Sequence, residues 1–269
     1  MDKRVAIIGF GEAGSIFANA AGWGPKASAF DINPVRLARV STAGLTPAAD
    51  AESALAGASI GLSLVTAGSA IAAAEQGAPF LQQGALWIDM TSVAPDTKSA
   101  AAAIIEAAGG NYVDAAILAP VDPARMKVPI LLSGPAGEDA RIALTALGFV
   151  NLRIVGDRIG QASAIKMIRS VMIKGIEALT GEMMAAADAV GVTAEVLSSL
   201  DASERLRPWS ERAEYNLERM ATHGVRRAEE MGEAVKTLRS LGVEPTMTTG
   251  TVRRQRDSAK GHAKARDAA

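Results

Sequence analysis

The chain has 269 residues, with 28 basic and 29 acidic side chains and a formal charge of −1. This balance gives no electrostatic reason to bind nucleic acid, because phosphate binding needs a surplus of Lys and Arg; aromatics at 4% leave little for base stacking. With no Cys and only two His, disulfides and thiol nucleophiles are excluded and no metal site is expected.

Hydrophobic residues at 49% and charged residues at 21% give a globular balance with material for a real core. No segment approaches the ~18–20 unbroken apolar residues of a membrane span. The charged start at residues 1–4 and the apolar residues 5–10 are cut short by glycines and Glu12, too soon for a signal peptide. A cytoplasmic protein with no membrane partner is expected.

Short β-branched runs come first in the chain, at 5–8, 26–30, 60–65, 86–89, 112–114, 130–133 and 152–155. Ala-rich helical stretches and Gly or Pro breaks separate them. Several runs are apolar on both faces, as in a parallel sheet covered by helices on each side. Strands alternating with helices predict right-handed βαβ units in a doubly wound sheet. After Gly160 the pattern becomes helical. Residues 161–190 read as one helix of ~45 Å at 1.5 Å per residue, with Ile165, Ile168, Met172, Ile176, Leu179 and Met183 at helical spacing. Gly175 and Gly181 within it suggest close packing against another helix. Further helices are expected at 194–200, 208–222 and 224–241, and a solvated or frayed tail from Arg253. The fold class is thus α/β: a doubly wound domain at 1–158, then an all-α domain at 159–269 that begins with the long helix.

The most informative segment is Val5-Ala-Ile-Ile-Gly9-Phe-Gly11-Glu-Ala-Gly14, a buried strand running into GxGxxG and a helix. Gly9 makes the tight turn, Gly11 admits a pyrophosphate to the backbone, and Gly14 lets the helix pack on the strand. The pyrophosphate sits on free N–H groups at the helix start. A second strand ends in Asp31, 20 residues past Gly11, where a carboxylate accepts hydrogen bonds from ribose hydroxyls. A carboxylate there repels a 2′-phosphate and favours NAD, while Arg36 leaves NADP open.

Thr91 and Ser92 follow the strand at 86–89 and stand either to reach the cofactor or to cap the next helix. Lys166, Ser170 and Lys174 fall at i, i+4 and i+8, one stripe of the long helix. Such lysines either snorkel along an apolar face or, with a lowered pKa, exchange protons with a hydroxyl or carbonyl.

The segments Gly9–Gly14, Asp89-Met-Thr-Ser92-Val-Ala-Pro95, Tyr112-Val-Asp114-Ala115 and Gly160-Gln-Ala-Ser-Ala-Ile-Lys166, in that order, resemble the β-hydroxyacid dehydrogenases. That superfamily includes 3-hydroxyisobutyrate and 6-phosphogluconate dehydrogenases. The resemblance spans roughly residues 4–190; the remainder looks like a little-characterised branch with its own helical C-terminal domain. It implies hydride transfer between NAD(P) and a hydroxyl-bearing carbon of a small-molecule substrate. Lys166 would be the general acid/base and Ser170 would stand where the family has Asn. The implied cofactor contacts are Gly9, Gly11, Glu12, Ala13, Gly14, Asp31, Val65, Thr66 and Ser92. The resemblance also implies a Rossmann domain at 1–158, a long interdomain helix and a homodimer through the helical substrate domain at 159–269; Lys174 on the stripe and His223 in that domain are candidate substrate contacts. The family's substrate loop DAPVSGG falls on residues 114–120. There Leu118 replaces Ser, and Ala119 and Pro120 replace two Gly. Proline has no N–H to donate, so a larger or aryl-bearing hydroxy compound is expected, bounded by Leu118 and Ala119. Imine reduction and a catalytically silent dinucleotide-binding dimer are the alternatives.

Overall fold

The computed structural model describes residues 4–203 and 208–267. It divides into two compact units whose boundary in sequence is Ser170/Val171. The change of sequence texture at 158–160 therefore precedes that boundary, and the first turns of the long helix belong with the sheet.

The first unit contains β1 (Val5–Ile8), α1 (Glu12–Ala21), β2 (Ala27–Phe30), α2 (Pro34–Thr42), β3 (Thr46–Pro47) and α3 (Ala51–Leu55). It continues with β4 (Ile60–Ser63), α4 (Ala70–Gly77), β5 (Leu86–Asp89), α5 (Pro95–Ala107) and β6 (Asn111–Ile117), then β7 (Ile130–Ser133), α6 (Gly137–Ala146), β8 (Leu152–Gly156) and the start of α7 (Gln161–Ala189). The strand order is β3-β2-β1-β4-β5-β6-β7-β8. Val5 and Ile7 pack with Phe17 on one face of the sheet. Their neighbours Ala6 and Ile8 pack with Leu55 and Trp87 on the other. Burial on both faces is why β1 reads as a continuous apolar run.

The sheet departs from a wholly parallel one at a single pair: β6 and β7 are antiparallel. The connection between them holds one three-residue helical turn, Arg125–Lys127. A parallel partner needs a longer crossover, usually an α-helix. The two exposed residues of β3 carry no apolar pattern, which is why the sequence reading passes over them.

The second unit holds the rest of α7, α8 (Thr193–Ser203), α9 (Trp209–Ser240) and α10 (Thr246–Asp267). Two expectations fail here. The helices expected at 208–222 and 224–241 are one helix, unbroken at Gly224. The expected frayed tail from Arg253 is helical through Asp267. Gly224 explains the first: a Cβ there would lie 2.3 Å from the Gln255 carbonyl oxygen and 3.1 Å from Ala259 Cβ. Its missing side chain admits the backbone of α10, so Gly224 marks a helix crossing and the end of nothing. Gly175 and Gly181, expected to mark such a crossing, would meet no described atom within 4 Å. Glu182 of α7 accepts hydrogen bonds from the Met247 and Thr248 N–H groups at 2.8 and 2.9 Å and from the Thr248 hydroxyl, capping the start of α10. Burial alone would push the Glu182 carboxyl up, but these bonds outweigh it and hold the group below the ordinary carboxylate range. Among the described residues, no helix is long and apolar enough to cross a membrane.

Candidate active site

The glycines of the first loop do different work. Gly9 has φ +94°, and a Cβ on it would lie 2.9 Å from the backbone of Leu64 and Val65. A Cβ on Gly14 would lie 2.7 Å from the Gly9 carbonyl oxygen. Gly11 alone is open, with only an Arg36 nitrogen within 4 Å, at 3.8 Å. No side chain caps the start of α1. Its first N–H groups, from Glu12 and Ala13 onward, thus face an open cradle of the kind that receives a pyrophosphate. These features fit a dinucleotide.

A cavity of about 300 Å³ runs from this loop past Asp31, Arg36, Val65 and Thr66. Asp31 is nearly buried, and both its oxygens are engaged. Phe10 N–H donates to Oδ2 at 2.7 Å and Asn33 N–H to Oδ1 at 2.8 Å. The Arg36 guanidinium stands 3.9 Å from Oδ2. Asp31 therefore pins the glycine loop to the end of β2 while lining the cavity. That bracing role leaves no mark in sequence spacing.

A second cavity, about 520 Å³, opens at the carboxyl ends of β4, β5 and β6. Ligands bind at this edge in open α/β sheets. Glu12, Ala13, Val65, Thr66, Ser92 and Lys166 all line it. Lys166, on the second turn of α7, donates through Nζ to Ser92 Oγ at 2.5 Å. Neither Thr91 nor Ser92 caps α5, whose N-cap residue is Ala94 with no side-chain bond. Thr91 turns instead to Asp89 and Ser92 to Lys166.

Four expected catalytic or substrate positions are not among the lining residues of the second cavity. Ala119 and Pro120 line the cavity, but Leu118 does not. Leu118 packs with Ala116, Leu131 and Ala162 beneath the start of α7, so the apolar wall comes from Met90, Ile117, Pro120 and Val121. Ser170 stands one turn past Lys166, ~6 Å along the axis, and is not among the lining residues. Lys174 and His223 belong to the second unit, where both are exposed. His223 lies beside Tyr215 and Arg219 on α9.

A buried polar cluster missing from the sequence reading underlies the second cavity. Lys98, Asp89 and Asp114 are each at most 1% exposed. Lys98 Nζ donates to the Asp89 carbonyl at 2.6 Å and stands 3.2 Å from Asp89 Oδ1 and 3.5 Å from Asp114 Oδ1. In the sequence Asp89 and Asp114 stand in separate motifs, and nothing links them to Lys98, one turn into an alanine-rich helix. Among the described residues, no cluster of three or more His, Cys, Asp or Glu is placed to hold a metal.

The pattern of the NAD binding domain of 6-phosphogluconate dehydrogenase matches residues 4–148. The chain belongs to this family. Residues 187–258 match a second family, a domain of unknown function. A conserved hypothetical protein from Sinorhizobium meliloti 1021 is 38% identical, with 98% of this chain and 89% of that one covered and a TM-score of 0.63. A conserved protein of unknown function, whose structure revealed similarity with 3-hydroxyacid dehydrogenases, is 30% identical, with 96% and 97% covered and a TM-score of 0.62. The imine reductase of Myxococcus stipitatus, solved with NADP+, shares the fold at 18% identity, with 96% and 94% covered and a TM-score of 0.78. This member of the 6-phosphogluconate-dehydrogenase-like family thus carries an NAD-binding domain of dehydrogenase type and the 3-hydroxyacid dehydrogenase-like fold.

Proposed function

We propose that this chain moves a hydride between a nicotinamide cofactor and a hydroxyl-bearing carbon, with Lys166 as the general acid/base. The observation that carries the reading is the Lys166 amine seated on Ser92 Oγ in the crevice beside the dinucleotide loop. When bound, the nicotinamide supplies the hydride chemistry. The protein supplies position and the proton. Neutral Lys166 takes the hydroxyl proton as the carbonyl forms, and its ammonium returns that proton in the reverse direction. In this reading Ser92, rather than Ser170, orients the reacting oxygen. The Asp31 carboxylate favours NAD over NADP, and Met90, Ile117, Pro120 and Val121 favour a substrate with an apolar or aryl portion.

The partner in this reading is a second copy of the chain. Ile165, Ile168, Met172, Ile176 and Leu179 form the apolar stripe of α7, and each is more than a third exposed in one chain. An apolar surface of this extent marks an interface. Substrate contacts from Lys174 and His223 rest on that assembly.

The test is a panel of hydroxy acids, aryl alcohols and cyclic imines with each nicotinamide, followed by absorbance, on the native chain and Lys166→Ala. Loss of about 10²–10⁴-fold in turnover with unchanged cofactor affinity is expected. Unimpaired turnover, or reduction of imines alone, overturns the reading.

A further inference from the structure

The cluster of Lys98, Asp89 and Asp114 places three charges out of water beneath the crevice, one ammonium against two carboxylates. Desolvating such a set is costly, and apolar side chains of similar volume often stabilise a fold as well or better. Each carboxylate also grips a part of the candidate site. Asp89 Oδ1 accepts from the Thr91 N–H at 2.8 Å and the Thr91 hydroxyl at 2.5 Å, bracing the residue just before Ser92. The Tyr112 hydroxyl donates to Asp89 Oδ2 at 2.6 Å. Burial and the Asp89 carboxylate push that hydroxyl far above its ordinary range, so it stays a donor. On the other side, Asp114 Oδ2 accepts from the Ser163 N–H at 2.9 Å and the Ser133 hydroxyl at 3.1 Å. Ser133 Oγ in turn accepts from the Ala162 N–H at 3.0 Å. Asp114 and Ser133 thereby cap the first turn of α7, one turn before Lys166, and the positive end of that helix offsets the surplus negative charge. Gly160 permits the approach: a Cβ on it would lie 3.0 Å from Pro95 Cβ, at the start of the helix that carries Lys98.

We propose that Lys98 is a positioning residue, bridging Asp89 and Asp114 so that the Thr91–Ser92 turn and the first turn of α7 keep the spacing that seats Lys166 on Ser92. Two arms leave one ammonium, a hydrogen bond and ion pair to Asp89 and a 3.5 Å ion pair to Asp114, and they end on the donor and the acceptor of the Lys166–Ser92 bond. For its effect on turnover the inference rests on the proton-transfer role of Lys166. The spacing itself does not, and amine reactivity reads it without a substrate.

The experiment is trace labelling of the full chain with acetic anhydride, with the Lys166 peptide quantified by mass spectrometry. The variants are Ser92→Ala, the pair Lys98→Met with Asp114→Asn (one charge of each sign removed), and all three together. A thermal melt and far-ultraviolet circular dichroism of each variant confirm the fold. Ser92→Ala should remove the Lys166–Ser92 bond and raise labelling of the amine about fivefold or more. The Lys98/Asp114 pair should do the same, and adding Ser92→Ala to the pair should change nothing further. Labelling within about twofold of the native chain for the pair, or effects that multiply, overturns the proposal. Should the pair fail to fold, Asp114→Asn alone carries the same cycle, and labelling that it leaves unchanged counts against the proposal. If Lys166→Ala keeps full turnover, the proton-transfer reading falls while the labelling cycle still decides the positioning role.

Discussion

The two units of this chain treat their apolar surface differently. In the sheet unit, the strands from β4 to β7 are buried on both faces save for Asn111 at the start of β6, and the buried charges have named partners. In the helical unit, Val171 is 76% exposed, and Met172, Leu217 and Val225 all stand largely open in a single chain. A sheet with helices on both faces completes its core from one chain, whereas a few long helices have apolar sides that only other helices can cover. The sheet unit is therefore self-contained, and the proposed second copy would pack on the helical unit.

The sharpest way to break this contrast is Val171→Glu. A charge at this open position leaves the single chain undisturbed and should weaken a dimer by about 2–4 kcal/mol, seen as dissociation in sedimentation while NADH affinity holds. An unchanged dimer would place the interface off this face of α7. Gly9→Ala probes the closed unit. A Cβ in contact with the Leu64 backbone should cost about 1–3 kcal/mol in thermal melts and abolish NADH binding, with the dimer retained.

The cap on α10 gives a smaller, pH-dependent effect. Because the Glu182 carboxyl is held low in the folded chain, its contribution is complete above the ordinary carboxylate pKa and is lost as pH falls through the lowered value. Melts in increasingly acid buffer should lose about 1 kcal/mol from this cap. Glu182→Gln, which cannot ionise, should remove that part of the pH dependence. The smallest effect sharpens the contrast further. Gly175→Ala meets open space in one chain and should stabilise the helix by about 0.8–1.0 kcal/mol in thermal melts; a weakened dimer instead would show that the partner's helix occupies that space.

Much of the candidate site was legible because its pieces are local. The turn at Gly9, the open Gly11 and the strand-end Asp31 lie on one strand-turn-helix unit and the strand that follows it. Lys166 declared itself by helical spacing beside apolar residues. Its contact with Ser92 was less accessible: the sequence set Ser170 beside Lys166 on the helix and Ser92 near the cofactor, and only the fold joins Lys166 to a hydroxyl 74 residues earlier. Leu118 was misjudged for a similar reason, since a loop residue's side chain turns inward or outward according to what packs against it. Lys98 gave almost no sign, because a lysine in a helix is by default a solvated one.

By itself the amino-acid order determined the alternation of strands and helices, the dinucleotide loop and the long central helix, all of which follow from periodicity and glycine placement over short stretches. Only the tertiary structure decided that β7 runs antiparallel, that Gly224 admits α10, and that Lys98 joins Asp89 to Asp114. Those outcomes depend on contacts between residues far apart in the chain, where spacing along the sequence carries no information about distance in space.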